Sequence, residues 1–431
     1  MKIVHATFGS LGDMHPMIAV GIELKKRGHD VTFAAMEFYR EKIETIGLHF
    51  APMAPHMDPT AFDIEEFRAI VDAKTGPEKI IGDLIMPALP QMYKDLMAAS
   101  ENADILITGE LIYAARSVVE KTGIKWVSTT LAPISFFSTY DPSVPPQAPW
   151  FEHLRFLGAG FHYALYKLVR FSLAGLFEPY REFREDLGLD PDPHPLFEGK
   201  FSDDLHLAMF SRALGKPQPD WPKNTVQTGF CFYDGQADTG TMPDGLEEFL
   251  DAGEPPIVFT LGSAAVMDAG NFFEESAKAA KALNRRAVLI HSEHNESPKE
   301  LGENIAAFDY APYSKVFPHA ACVVHQGGVG TTGQVLRAGV PQLVMPYGHD
   351  QHDNAARCHR IGVGEIIGRD KYNAKAAAHA LLELLSDPSY KKNALNAKSI
   401  VDSEHGTQAA CDAIEKIGSK GDSVQSQQER K

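Results

Sequence analysis

No run of apolar residues in this chain approaches the roughly 20 needed to span a bilayer, so nothing in it reads as a transmembrane helix. Cysteine is scarce. Cys231, Cys322, Cys358 and Cys411 lie far apart, with no CxxC pair and no metal-ligand spacing. That sets aside a disulfide framework and a zinc site, and leaves buried, reduced thiols in a cytoplasmic protein as the expectation. Positive charge is short as well: 41 Lys and Arg stand against 57 Asp and Glu, a formal charge of −16. A protein that tracks phosphates needs a basic face, so nucleic acid is not an expected partner. The apolar run at residues 2–8 is too short for a signal h-region and leads straight into glycines.

What is present suits two domains, since 431 residues exceed one comfortable core. Residues 2–8 are apolar, Gly9-Ser10-Leu11-Gly12-Asp13 breaks the run, and Met17, Val20 and Leu24 follow at helical spacing. Gly28-His29-Asp30 stops that helix and residues 31–35 read as a second strand, which makes a βαβ unit. The pattern restarts at residues 256–261, with Gly262-Ser263, a helix-like stretch at 272–283 and a strand at 287–291. Residues 104–108 and 126–130 add strands to the first unit, and 322–325 and 342–345 to the second. The fold class is therefore α/β, with two parallel-sheet domains. The expected division is 1–229, a Gly-, Asp- and Pro-rich linker at 230–255, and 256–403, then a helix at 404–417 returning to the first domain and a disordered tail at 418–431.

Residues 150–187 are unusually dense in aromatics, among them Phe151, Phe156, Phe161, Tyr163, Phe171 and Phe177. The plain expectation is one or two buried helices packed on the first domain. A wall of an apolar pocket is the functional reading, and a membrane-surface helix is a third.

One segment carries chemistry. His325-Gln326-Gly327-Gly328-Val329-Gly330-Thr331-Thr332 follows an apolar strand and runs into helical spacing. Strand, glycine-rich turn and helix start make a ready anion site: backbone approaches closely, free N–H groups converge, and the helix dipole favours negative charge.

Around it stand Asp309-Tyr310-Ala311-Pro312-Tyr313, Pro318-His319-Ala320, Arg337-Ala338-Gly339-Val340-Pro341-Gln342, Met345-Pro346 and Asp350-Gln351-His352-Asp353-Asn354-Ala355. This array resembles the donor-binding signature of the UDP-glycosyltransferase superfamily, and residues 9–16 and 28–31 match the family's amino-terminal pattern. The resemblance is nearest to a bacterial branch with the rhamnolipid rhamnosyltransferase and antibiotic and sterol glycosyltransferases. It implies the GT-B fold, two Rossmann-like domains facing each other across a cleft. It also implies an inverting transfer that needs no metal or cofactor beyond a UDP- or dTDP-sugar co-substrate.

The roles it implies are specific. Tyr310 stands where plant enzymes stack a tryptophan on uracil, and Ala311 would bond the base through its backbone. His325, Gly327, Gly328, Gly330 and Thr331 would hold the two phosphates, with Ser263 opposite. Asp350 and Gln351 would grip sugar hydroxyls. Gly328-Val329 replaces the plant Trp-Asn and Tyr313 a glutamine; the ribose glutamate has no counterpart, and Gln334 takes that role. Plant members place a histidine base in the first βα loop, where this chain has Asp13, with His15 two residues on. Alternatively, Asp13 is simply an N-cap of the following helix. Glu110, Phe136 and Phe161, with His15, complete the candidate acceptor-binding residues.

The function expected is transfer of a hexose, glucose or rhamnose, to a hydroxyl of a hydrophobic small acceptor such as a phenol or flavonoid, sterol, macrolide or hydroxy fatty acid. A sugar-nucleotide 2-epimerase of the same fold and a non-catalytic partner subunit are the competing readings. A cytoplasmic monomer or homodimer is expected, with peripheral membrane contact left open.

Overall fold

The computed structural model describes residues 1–57, 64–233, 242–262, 265–292, 298 and 301–419. Part of the expected linker (234–241), nearly all of the expected tail (420–431) and Ser263 lie outside the described residues.

The first sheet has seven parallel strands: β1 (Lys2–Ala6), β2 (Asp30–Ala35), β3 (His49–Pro52), β4 (Ile105–Thr108), β5 (Lys125–Thr130), β6 (Leu205–Ala208) and β7 (Thr225–Gln227), in the order β3-β2-β1-β4-β5-β6-β7. The second has six, also parallel: β8 (Ile257–Thr260), β9 (Ala287–Ile290), β10 (Ile305–Phe308), β11 (Cys322–His325), β12 (Gln342–Val344) and β13 (Gly364–Ile366), in the order β10-β9-β8-β11-β12-β13. Helices cover both faces, so the central strands are buried on both sides; β4, β8 and β11 are buried at every residue. Their side chains still divide by alternation. Ile257, Phe259, Cys322 and Val324 enter one core of the second domain, and Val258 and Val323 the core on its opposite face.

Strand order reverses between β1 and β4 and again between β8 and β11. Ligands in open parallel sheets bind beyond the carboxyl ends of the strands at such switch points. Asp13 follows β1 and the glycine turn follows β11, so each domain brings its principal candidate residues to its own switch point.

The domains share a third apolar layer. Phe136, Phe210, Leu214 and Phe230 from the first half pack with Leu336, Cys358, Val363, Ala394 and Val401 from the second. The last helix, Gly406–Ser419, returns to the first domain: Ala410, Cys411 and Ile414 enter that core, and Arg27 pairs with Asp412 at 2.6 Å and Glu415 at 2.8 Å. Gly406 stands where the two chain crossings touch, since a Cβ there would lie 2.3 Å from the Phe230 carbonyl oxygen. All four cysteines are free and buried.

One expectation about the first domain is corrected. Residues 150–172 do not form buried helices: in the helix Gly158–Ser172 only His162 is buried. Aromatic density gives no direction, and these side chains lie largely on the outward faces.

Candidate active site

The helix Leu11–Lys26 begins one turn earlier than an Asp13 cap requires. Ser10 is the N-cap, and its Oγ accepts from Gly12 N at 3.2 Å. Asp13 is the third helical residue, and its Oδ2 accepts from Ser10 N at 2.8 Å and Ser10 Oγ at 3.2 Å, closing a capping box. Gly9, at φ +134°, lets the chain pass under the carboxylate, because a Cβ there would fall 2.3 Å from Asp13 Oδ2. Tyr39 Oη donates to the Gly9 carbonyl at 2.9 Å and pins the loop. Burial raises the Asp13 pKa to about 6 against the pull of the Ser10 hydrogen bonds, and the charge of Glu110 adds to the rise. A carboxylate poised there can accept a proton near neutral pH.

The turn after β11 is set by His325. Its Nδ1 accepts from Gly327 N at 3.0 Å, and its Nε2 donates to Gln342 Oε1 at 2.8 Å. Burial drops its pKa to about 4, so the ring is neutral. With both nitrogens engaged and the residue fully buried, His325 shapes the turn. Gly327, at φ +92°, lets the turn press on Val344 and the Gln351 carbonyl. Gly328 caps the helix Val329–Ala338, Thr331 is buried, and Gly330 is exposed with open space where a Cβ would lie. The geometry leaves this N-terminus approachable from Gly330.

Asp350 sits against that N-terminus. Its Oδ2 accepts from Val329 N at 3.2 Å and from Asn354 Nδ2 at 2.6 Å. Burial raises its pKa to about 7, and the charge of Asp13 adds to the rise. Gln351 Oε1 accepts from Tyr347 N at 2.8 Å, which orients its amide. The helix Gln351–Arg360 that carries these residues is locked to the first domain. Buried Arg357 pairs with Asp353 at 2.7 Å and with Asp141, while Asp353 also accepts from Val144 N at 2.9 Å. Arg360 reaches Glu152 at 2.6 Å.

Other expected residues fall in several places. Tyr310 is exposed and Ala311 buried after β10, and Gln334 lies within the helix Val329–Ala338. His15 meets Tyr233 edge-on at 5.1 Å between ring centroids. Glu110 is held by Lys200 at 3.3 Å and by Leu131 N at 3.3 Å. Phe136 stacks on Trp221 at 3.9 Å within the interdomain core, and Phe161 is exposed on the helix Gly158–Ser172. Sequence reasoning missed Gln326, whose amide a Cβ on Gly262 would strike at 2.1 Å; this side chain wedges the loop after β8 against the loop after β11. It also missed Gln342 and the Asp353–Arg357 pair. Gln326, Gln342 and Asp353 all lie inside the array quoted above, but their roles emerge only from contacts with residues distant in sequence.

A carboxylate at one switch point and an anion-receptive helix start at the other suit a group-transfer enzyme with an acidic leaving group. Comparison with known proteins agrees. Residues 3–129 match the glycosyltransferase family 28 N-terminal domain, and residues 278–409 match the erythromycin biosynthesis protein CIII-like C-terminal domain. An O-mycaminosyltylonolide 6-deoxyallosyltransferase of Streptomyces fradiae is 29% identical, over 96% of this chain and 97% of that protein. A sterol 3-beta-glucosyltransferase of Candida albicans is 27% identical over 96% of this chain, which spans 27% of that longer protein. The solved glycotransferase of kitacinnamycin superposes with a TM-score of 0.75 at 21% identity, covering 96% of this chain and 98% of the other. The chain belongs to the UDP-glycosyltransferase superfamily, has the GT-B fold and is a sugar-transferring enzyme. GT-B enzymes of this kind use nucleotide-sugar donors.

Proposed function

We propose that the enzyme moves a hexose, glucose or rhamnose, from a UDP- or dTDP-sugar to a hydroxyl of a hydrophobic small acceptor. The acceptor is of phenolic or flavonoid, sterol, macrolide or hydroxy-fatty-acid type. Asp13 is the general base. The acceptor oxygen attacks the anomeric carbon from the face opposite the diphosphate, the bond to the diphosphate oxygen breaks, and the hydroxyl proton passes to Asp13. Inversion follows from that single displacement. Charge gathering on the leaving diphosphate meets the N-terminus of the helix Val329–Ala338, where backbone N–H groups and the helix dipole stabilise it without a metal. Tyr310 and Ala311 receive the base, Gln334 the ribose, and Asp350 and Gln351 the sugar hydroxyls.

The observation that carries this reading is the position of Asp13 after β1 and of the glycine turn after β11, each at the switch point of its own sheet. The relatives support a small hydrophobic acceptor: by their names, one acts on O-mycaminosyltylonolide and another on a sterol. The test is mass spectrometry of products from UDP- and dTDP-hexoses against a panel of phenols, sterols, macrolides and hydroxy fatty acids. A mass gain of one hexose on a panel member supports the reading. Conversion of donor to an isomeric sugar nucleotide with no acceptor present would instead make the chain an epimerase.

A further inference from the structure

The helix Gly158–Ser172 presents an apolar face that nothing among the described residues covers. Leu157 is 41% exposed, Phe161 40%, Leu168 64% and Phe171 80%, and Ala164 is exposed between them. Their spacing of four, three, four and three residues puts them on one stripe. Trp150, Phe156 and Tyr163 flank it and are exposed too.

Charge says what the stripe is built to meet. Between Glu152 and Glu178 there is no acidic residue, while Arg155, Lys167 and Arg170 fall in that window, in a chain of net charge −16. Beside the stripe lies a cavity of about 260 Å³ whose lining includes Lys167, Arg170, Arg181, Phe171, Tyr180 and His194. Asp192 is the one carboxylate in that lining and pairs with Arg181 at 3.4 Å; Arg170 reaches Glu198 at 2.5 Å, and Arg155 reaches Asp141 at 2.6 Å. The Lys167 ammonium lies 4.5 Å from the Tyr163 ring and is exposed. An apolar face rich in aromatics, on a segment that carries basic residues and no acidic one, is the pattern of a helix lying in a membrane interface. A second copy fits less well, because two-fold pairing of this face sets the same cations against each other.

We propose that residues 150–171 dock on an anionic lipid bilayer. Leu157, Phe161, Leu168 and Phe171 enter the headgroup region, and Lys167 meets lipid phosphates. The docking stands apart from the identity of the transferred sugar and acceptor, because transfer to a dissolved acceptor needs no lipid.

The test is co-sedimentation of the full chain with vesicles of phosphatidylcholine alone, or of phosphatidylcholine and phosphatidylglycerol in equal parts. Binding to the mixed vesicles is expected, weakened by salt. Leu168→Ser with Phe171→Ser weakens it roughly tenfold or more through lost apolar burial. Lys167→Glu weakens it roughly tenfold through charge reversal near the surface and touches no core residue. Unchanged melting and unchanged transfer to a dissolved acceptor show that the variants remain folded. The proposal is overturned if the parent stays in solution with the mixed vesicles, or if the variants bind them as the parent does. It is equally overturned if the stripe mediates a dimer that the double variant dissociates while vesicle binding persists.

Discussion

Two glycines three residues apart test the donor site in opposite ways. Replacing Gly327 by Ala puts a Cβ at φ +92°, 2.7 Å from Val344 Cγ1 and 3.0 Å from the Gln351 carbonyl oxygen. The left-handed backbone costs about 1–2 kcal/mol for a residue with a Cβ. Overpacking against a buried valine and a fixed carbonyl adds about 1–3 kcal/mol. The Gly327→Ala variant should thus lose roughly 2–5 kcal/mol of stability and displace the turn, with diphosphate affinity falling along with it. Gly330→Ala meets nothing within 4 Å, and the position is already helical. Exchange of a helical glycine for alanine gains roughly 0.5–1 kcal/mol, so this variant should melt at or above the parent. Yet its methyl group projects into the space assigned to the diphosphate, and UDP or dTDP should bind at least tenfold more weakly, about 1.4 kcal/mol. Calorimetric titration paired with thermal melting separates the two effects. A Gly330→Ala variant that binds nucleotide as the parent does would refute the placement of the diphosphate over this turn.

Other consequences concern charge. Arg357→Met leaves the buried Asp353 without its cation and Asp141 with Arg155 alone, and breaking a buried pair from one side costs about 3–5 kcal/mol; a chemical-denaturation midpoint close to the parent's would remove the network from the account. The Asp13 carboxyl has its pKa raised to about 6, so the ionised base is lost as pH falls through that value, and kcat/KM should fall on the acid side. Glu110→Gln removes a charge that contributes to the rise and should move this acid limb to lower pH; a limb that stays in place or moves upward argues against Asp13 as its source.

Much of the fold can be read along the chain because the inner strands are rich in apolar residues. β1, β4, β8 and β11 announce themselves this way, whereas β3, β7 and β13 are short and half-exposed and carry little signal. The glycine turn is legible for the same local reason: strand, glycines and helix start are contiguous. The part played by His325 is not, because it depends on Gln342, seventeen residues on and in the neighbouring strand. Asp13 shows the limit of local rules in a second way. Cap preferences point to the residue nearest the proline, yet Ser10 takes the cap, because a box with Asp13 satisfies more backbone donors. The aromatic segment shows the third limit. Its spacing defines a stripe, but only the packed domains show that the stripe faces outward.

The central claim is that Asp13 takes the acceptor proton while a separate site holds the donor. Asp13→Asn keeps the size of the side chain and an oxygen that can accept from Ser10 N, so the loop should persist. Measured together on one preparation, donor affinity by titration calorimetry should stay near that of the parent. Transfer at saturating donor should fall roughly 10²- to 10⁴-fold, the range general base catalysis supplies. An Asp13→Asn enzyme that binds donor and transfers sugar at the parent's rate would contradict the account.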